Sequence, residues 1–294
     1  MPPLRGQEIA GVGMRLAFST LGCPTWELAQ IGEAARSLGY DGIELRAVGG
    51  DLNLLGRREF KEELAATKQW FVEQQISVCC VDSSCTFDSL QADERRKQVD
   101  IAVKHSELAA ALGAPLIRVF PDKVQNGSTP AETRDNIAAC LRDIAERSPA
   151  AVRIGLETHG DFAKGEIAAE IVKLSAHRNV ALIWDVANSL AAGDSIENAA
   201  RAVSPYLAHV HLRDACAVEG SEYWLPVLAG RGQVSFAATL AVLEKLNYDG
   251  FISFEWEKYW HPEIEDPEVA LPDFIKAMRA EQLRTQISAR ETRS

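Results

Sequence analysis

No stretch of this 294-residue sequence approaches the run of about 20 apolar residues that a membrane-spanning helix needs. The opening MPPLRGQEIAGVG also lacks the apolar core of a secretory signal. The expectation is a cytoplasmic protein with no membrane partner, residues 1–13 forming a flexible lead-in. Basic residues are scarce beside acidic ones, 31 Lys and Arg against 42 Asp and Glu, for a net charge of −11. That balance argues against a broad cationic face, and so against a nucleic-acid partner. The six cysteines include no CxxC pair and no zinc-ribbon spacing, so reduced core thiols are expected rather than disulfides or a thiolate metal site. No GxGxxG follows the first strand-like segment, which removes the dinucleotide-binding signature. No Pro-, Gly- or Ser-rich linker divides the chain, and no low-complexity segment interrupts it.

What is present is a repeated unit. Short apolar segments at 15–20, 42–46, 76–82, 115–120, 152–157, 180–185, 206–211 and 251–255 read as strands, each followed by a stretch of helical spacing. TWELAQIGEAARSLGY, residues 58–75 and ERRKQVDIAVKHSELAAALGA are the clearest helices, and Gly39 and Gly113 fall at helix-ending positions. Two phrases nearly repeat, ARSLGYDGIEL at 35–45 and LEKLNYDGFISFE at 243–255. Each closes a helix, turns on Asp-Gly and starts a strand. Parallel strands need crossover helices, and eight such units in this length predict an α/β fold, a single-domain (β/α)8 TIM barrel. The barrel is assigned to residues 14–280 and a peripheral C-terminal tail to 281–294; a pair of smaller doubly wound domains is the structural alternative.

The strand ends carry the chemistry. Glu157 closes the fifth strand, Asp185 the sixth, His211 the seventh and Glu255 the eighth. In a barrel of this type the strand C-termini build the active site. Three carboxylates gathered in a low-dielectric mouth would repel one another. A divalent cation removes that repulsion, and the oxygen-rich donor set with one imidazole suits Mn²⁺ first, with Mg²⁺, Co²⁺ and Zn²⁺ also compatible. The heptapeptide HVHLRDA at 209–215 adds His209 and Arg213 on the parity of His211. Glu44 and Arg118, inward on the second and fourth strands by the same counting, are read as a candidate buried ion pair beneath the site, with Arg118 reaching substrate as the alternative.

GLETHG, IWDVANSLAAGD, HVHLRDA and GQVSFAATLAVLEKLNYDGFISFEWE, with the opening STLGCPTWELAQIGEAARSLGYDGIEL, resemble the xylose isomerase-like TIM barrels, the sugar phosphate isomerase/epimerase group. The resemblance covers residues 14–280. It implies that Glu157, Asp185, His211 and Glu255 bind the metal, and that Glu157 and Glu255 also move the proton, as the glutamates do in ketose 3-epimerases. Those epimerases carry a histidine three residues after the ligand aspartate, where this chain has Asn188. An amide can hydrogen-bond a hydroxyl but cannot titrate near neutral pH, so a particular sugar specificity does not carry over.

The expected activity is a metal-dependent isomerase or epimerase of a sugar or sugar-like ketone, acting through an enediolate. A metal-dependent lyase or dehydratase of a keto-sugar or keto-inositol is the alternative, and an apurinic-endonuclease-like nuclease a remote one. The nuclease reading needs further histidines on the third and fourth strands, and CCVDSSC and RVFPD supply none. Candidate contacts to a small carbohydrate are His159, which shares the parity of Glu157, together with Asn188, Arg213, Glu257, Trp26 and Trp224. Self-association is left open, because no segment of the sequence demands it.

Overall fold

A computed structural model describes residues 14–220 and 223–291, and the barrel is there. Eight parallel strands close on themselves: β1 (Arg15–Ser19), β2 (Gly42–Leu45), β3 (Ser77–Thr86), β4 (Leu116–Phe120), β5 (Arg153–Glu157), β6 (Val180–Asp185), β7 (Leu207–Leu212) and β10 (Phe251–Phe254). Around the barrel they run β1-β10-β7-β6-β5-β4-β3-β2. The helices are α1 (Leu28–Leu38), α2 (Leu64–Gln74), α3 (Ala92–Leu112), α4 (Pro130–Arg147), α5 (Gly165–Ser175), α6 (Val186–Ala191), α7 (Ile196–Val203), α8 (Phe236–Lys245) and α9 (Pro267–Glu291). Residues 281–291 continue α9, while the expected lead-in at 1–13 and the last three residues of the tail lie outside the described residues.

Local chemistry explains the boundaries. Thr129 caps α4, accepting from the Glu132 backbone, while the Glu132 side chain returns a bond to the Thr129 N–H and Pro130 occupies the first helical position. Gly39 and Gly113 end α1 and α3 at φ +76° and +85°, where a side chain would be strained. The strands themselves are almost continuously buried, as expected for a parallel sheet covered by helices.

Two details differ from the sequence reading. The third strand runs on to Thr86 instead of stopping near 82. After the seventh barrel strand the chain folds an antiparallel hairpin absent from the eight expected strands, formed by β8 (Asp214–Ala217) and β9 (Trp224–Val227). Asp214 staples its base, accepting from the backbone N–H groups of Ala215 at 2.9 Å, Gly232 at 2.8 Å and Val234 at 3.1 Å.

Helices and sheet enclose the main apolar core. Inside the barrel, Cys80, Leu116 and Ile183 form a small apolar layer with Ala208 packed against it. Gly155 makes room for it, because a β-carbon there would sit 2.7 Å from Ile183. Polar groups begin directly above this layer. All six cysteines are free thiols; Cys23, Cys79, Cys80 and Cys85 are buried, and Cys140 and Cys216 are half-buried. Among the described residues, no helix is long and apolar enough to cross a membrane.

Candidate metal centre

Glu157, Asp185, His211 and Glu255 come from β5, β6, β7 and the residue after β10, four consecutive staves of the barrel. One ligand atom from each lies within 4.8 Å of every other. All four residues are buried, none more than 3% exposed. Each is aimed by its backbone. Asp185 is also the N-cap of α6, and its Oδ1 accepts from the Asn188 N–H at 2.7 Å, which leaves Oδ2 for the barrel. Thr158 Oγ1 accepts from the Asp185 N–H at 2.8 Å and pins the β5 and β6 ends together. The Nδ1 of His211 faces Glu255 Oε2 at 3.3 Å and Glu157 Oε2 at 3.6 Å. Neither that Nδ1 nor Glu157 Oε2 makes a hydrogen bond, although both are buried.

Electrostatics make the cluster unusual. Five buried carboxylates (Glu44, Asp82, Glu157, Asp185 and Glu255) share the upper barrel with three buried guanidiniums, Arg46, Arg118 and Arg213. Arg118 Nη1 donates to Glu255 Oε1 at 2.7 Å and lies 3.2 Å from Glu157 Oε2 and 3.6 Å from Asp82 Oδ2. Arg213 pairs with Asp185, with Glu255 at 3.2 Å and with Glu257 at 3.4 Å, and donates to Asn188 Oδ1 at 3.1 Å. Burial, aided by the Glu255 and Glu157 charges, pushes the Asp185 carboxyl up to about 7 against the pull of Arg213. Burial also drives Asp82 upward, with Glu44 adding to it and Arg118 opposing. For Glu255 burial pushes the same way but loses: His211, Arg118 and Arg213 together hold it below the usual carboxylate range.

These residues fit a divalent cation. Counted as formal charges the carboxylates outnumber the guanidiniums by two, an excess that shows in the upward shifts of Asp185 and Asp82 and that an M²⁺ ion would offset. The His211 Nδ1 and Glu157 Oε2 are buried and make no hydrogen bond, only ion-pair contacts such as those to Glu255 and Arg118, so both keep a lone pair's worth of capacity for a cation. Oxygen donors with one imidazole suit Mn²⁺, Mg²⁺, Co²⁺ or Zn²⁺.

The candidate pair of Glu44 and Arg118 does not form. Arg118 turns to Glu255, Glu157 and Asp82, while Glu44 accepts from His209 and His211. Strand parity placed both residues inward correctly, but it cannot say which of several inward partners a long side chain reaches. Of the other residues named from sequence, Asn188 meets the cluster directly, its Nδ2 lying 3.4 Å from Glu157 Oε1. Half-buried His159 stands on Phe120, ring centroids 4.7 Å apart, with a buried Nδ1 that has no hydrogen bond. Glu257 reaches Arg213 with one oxygen and leaves Oε2 unbonded. Trp26, in the loop before α1, and Trp224, on β9, are half-buried against the main core. Sequence reading missed Arg46 and Asp82. Arg46 donates to Ser84 Oγ at 2.7 Å, and both residues carry the inward parity of Glu44 and Cys80, a signal that was there to be used.

The model of the xylose isomerase-like TIM barrel matches residues 33–280. The chain belongs to that family. Among curated proteins it is 26% identical over 148 residues to the uncharacterized protein YihM of Escherichia coli K12. That match takes in 48% of this chain and only 43% of the relative, so the chain spans less than half the length of the curated relative it matches. Among solved structures, the family member resembles the IolI protein, crystallised with a bound zinc atom, at a TM-score of 0.74 and 18% identity, covering 92% of this chain and 97% of that one. It resembles an L-ribulose 3-epimerase at a TM-score of 0.73 and 15% identity, covering 94% and 98%. Likeness at these identities establishes the shared barrel.

Proposed function

We propose that the chain is a divalent-metal-dependent isomerase or epimerase of a sugar or sugar-like ketone, with Glu157, Asp185, His211 and Glu255 holding one ion, Mn²⁺ by first choice. The observation that carries this reading is the meeting of four donor atoms from four consecutive staves within 4.8 Å. The zinc named for IolI and the ketose chemistry named for the epimerase support it. When bound, such an ion would polarise a substrate carbonyl and offset the negative charge that develops on its oxygen.

The proton chemistry falls to the two glutamates, which stand at the ends of the four-stave arc. One removes the proton from the carbon beside the carbonyl and the other returns it. Return to the same carbon from the other face gives epimerisation, and return to the neighbouring carbon gives aldose–ketose isomerisation. Arg118 touches both glutamates, and together with His211 and Arg213 it holds Glu255 in its ionised, proton-accepting form. The free Nδ1 of His159, the amide of Asn188 and the unbonded Oε2 of Glu257 are assigned to substrate hydroxyls. Arg213 is assigned to hold Asp185 and Asn188 in register for that task. The rings of Trp26 and Trp224 are assigned to sugar C–H faces.

The test is incubation of Mn²⁺-loaded protein with a panel of ketoses in deuterated water, followed by mass spectrometry and NMR. A product of unchanged formula, bearing deuterium on the carbon beside the carbonyl, is expected. Release of water or of a fragment would instead establish the lyase alternative. Absence of solvent exchange into every ketose tested would count against both.

A further inference from the structure

One side chain at the centre of the barrel has no part in the chemistry above. Glu44 on β2 stands three staves from β7, yet its Oε2 accepts from His209 Nε2 at 2.7 Å and from His211 Nε2 at 3.0 Å. All three side chains are at most 2% exposed, so water does not compete for these bonds. The two imidazoles meet edge to face, 5.3 Å between centroids and 88° between planes. A carboxylate can only accept, so both Nε2 atoms must carry hydrogen. For His211 this fixes the ring: it cannot flip without losing the bond to Glu44, and its second nitrogen, Nδ1, is the one turned to the other carboxylates, free to ligate a cation once any proton it carries is displaced. That Nδ1 is the buried atom that faces Glu157 and Glu255 and makes no hydrogen bond.

We propose that Glu44 is a positioning residue of the metal centre, holding His211 as its Nε2–H tautomer with Nδ1 presented to the cation, and that His209 steadies Glu44 from below. This rests on the reading of Glu157, Asp185, His211 and Glu255 as ligands of one ion. His209 cannot replace His211, because its ring lies a full two-residue step deeper and donates to the same oxygen. Outer partners that orient a ligating histidine typically govern metal affinity about 10- to 100-fold.

The experiment is titration of metal-free wild type and Glu44→Gln with Co²⁺ by calorimetry, with visible absorption to report the ligand field. Affinity in E44Q should fall by a factor of about 10 to 100, with an altered cobalt spectrum and retained far-UV circular dichroism. In parallel, ¹⁵N-histidine NMR of Zn²⁺-loaded wild type should show His211 ligated through Nδ1 and protonated on Nε2, a result that needs no variant to fold. Unchanged affinity and spectrum in E44Q, or ligation through Nε2, would overturn the role of Glu44 while leaving the metal site standing. Failure of wild type to bind either cation would instead overturn the site itself, and this proposal with it.

Discussion

Arg118 donates to Glu255 at 2.7 Å although their strands, β4 and β10, stand diametrically opposite in the barrel. The same nitrogen lies 3.2 Å from Glu157, so one guanidinium spans the lumen and ties together the two glutamates assigned to proton transfer. Removing one partner from a buried charge network typically costs about 3–5 kcal/mol, because the remaining charges lose compensation. Arg118→Met should therefore destabilise the metal-free protein by about that much. Added Mn²⁺ should recover part of the loss. Urea unfolding with and without Mn²⁺ checks both points.

Glu157→Gln and Glu255→Gln keep side-chain shape but remove the proton acceptor. Each should lower turnover by about 10²- to 10⁴-fold, the range expected when a general acid or base is lost. The far-UV circular dichroism should not change. Near wild-type turnover in either variant would remove that residue from the proton transfer.

Chelation should destabilise the protein as well as inactivate it. An ion that binds only the folded chain stabilises it by about 2.7 kcal/mol at a hundred times its dissociation constant. Thermal denaturation should thus shift upward with Mn²⁺ concentration and return to a lower plateau in excess chelator. A midpoint indifferent to Mn²⁺ and chelator would argue that the cluster holds no ion.

Gly160 follows His159 directly and adopts φ +58°. A methyl group there would also run into the Asp122 carbonyl oxygen, which accepts from the Asp161 N–H at 3.0 Å. Gly160→Ala combines an unfavourable backbone region with a steric clash, for a loss of about 1–3 kcal/mol. Because the strain falls on the turn carrying His159, KM for the substrate should rise more than kcat falls. Steady-state kinetics beside urea unfolding would separate the two effects.

Much of this was legible in the chain alone. Apolar segments separated by helical stretches marked all eight barrel strands to within a few residues, since the face each strand turns to the covering helices must be apolar even where the inward face carries charge. Glu157, Asp185, His211 and Glu255 could be named together because alternation assigns inward parity and the barrel puts strand ends on one rim. The hairpin after β7 was not legible: its two short strands pair only with each other, and the bonds from Asp214 to Gly232 and Val234 span about 20 residues, a separation no local pattern reports.

Residue order by itself determined which side chains enter the barrel and at what height, because both follow from local periodicity. Only the closed tertiary structure decided whom they meet. Glu44 bonds His209 and His211, and Arg118 bonds Glu255, in place of bonding each other. Those choices depend on distances across the lumen and on the competition of every buried charge for a limited number of partners, quantities that exist only once all eight strands have closed.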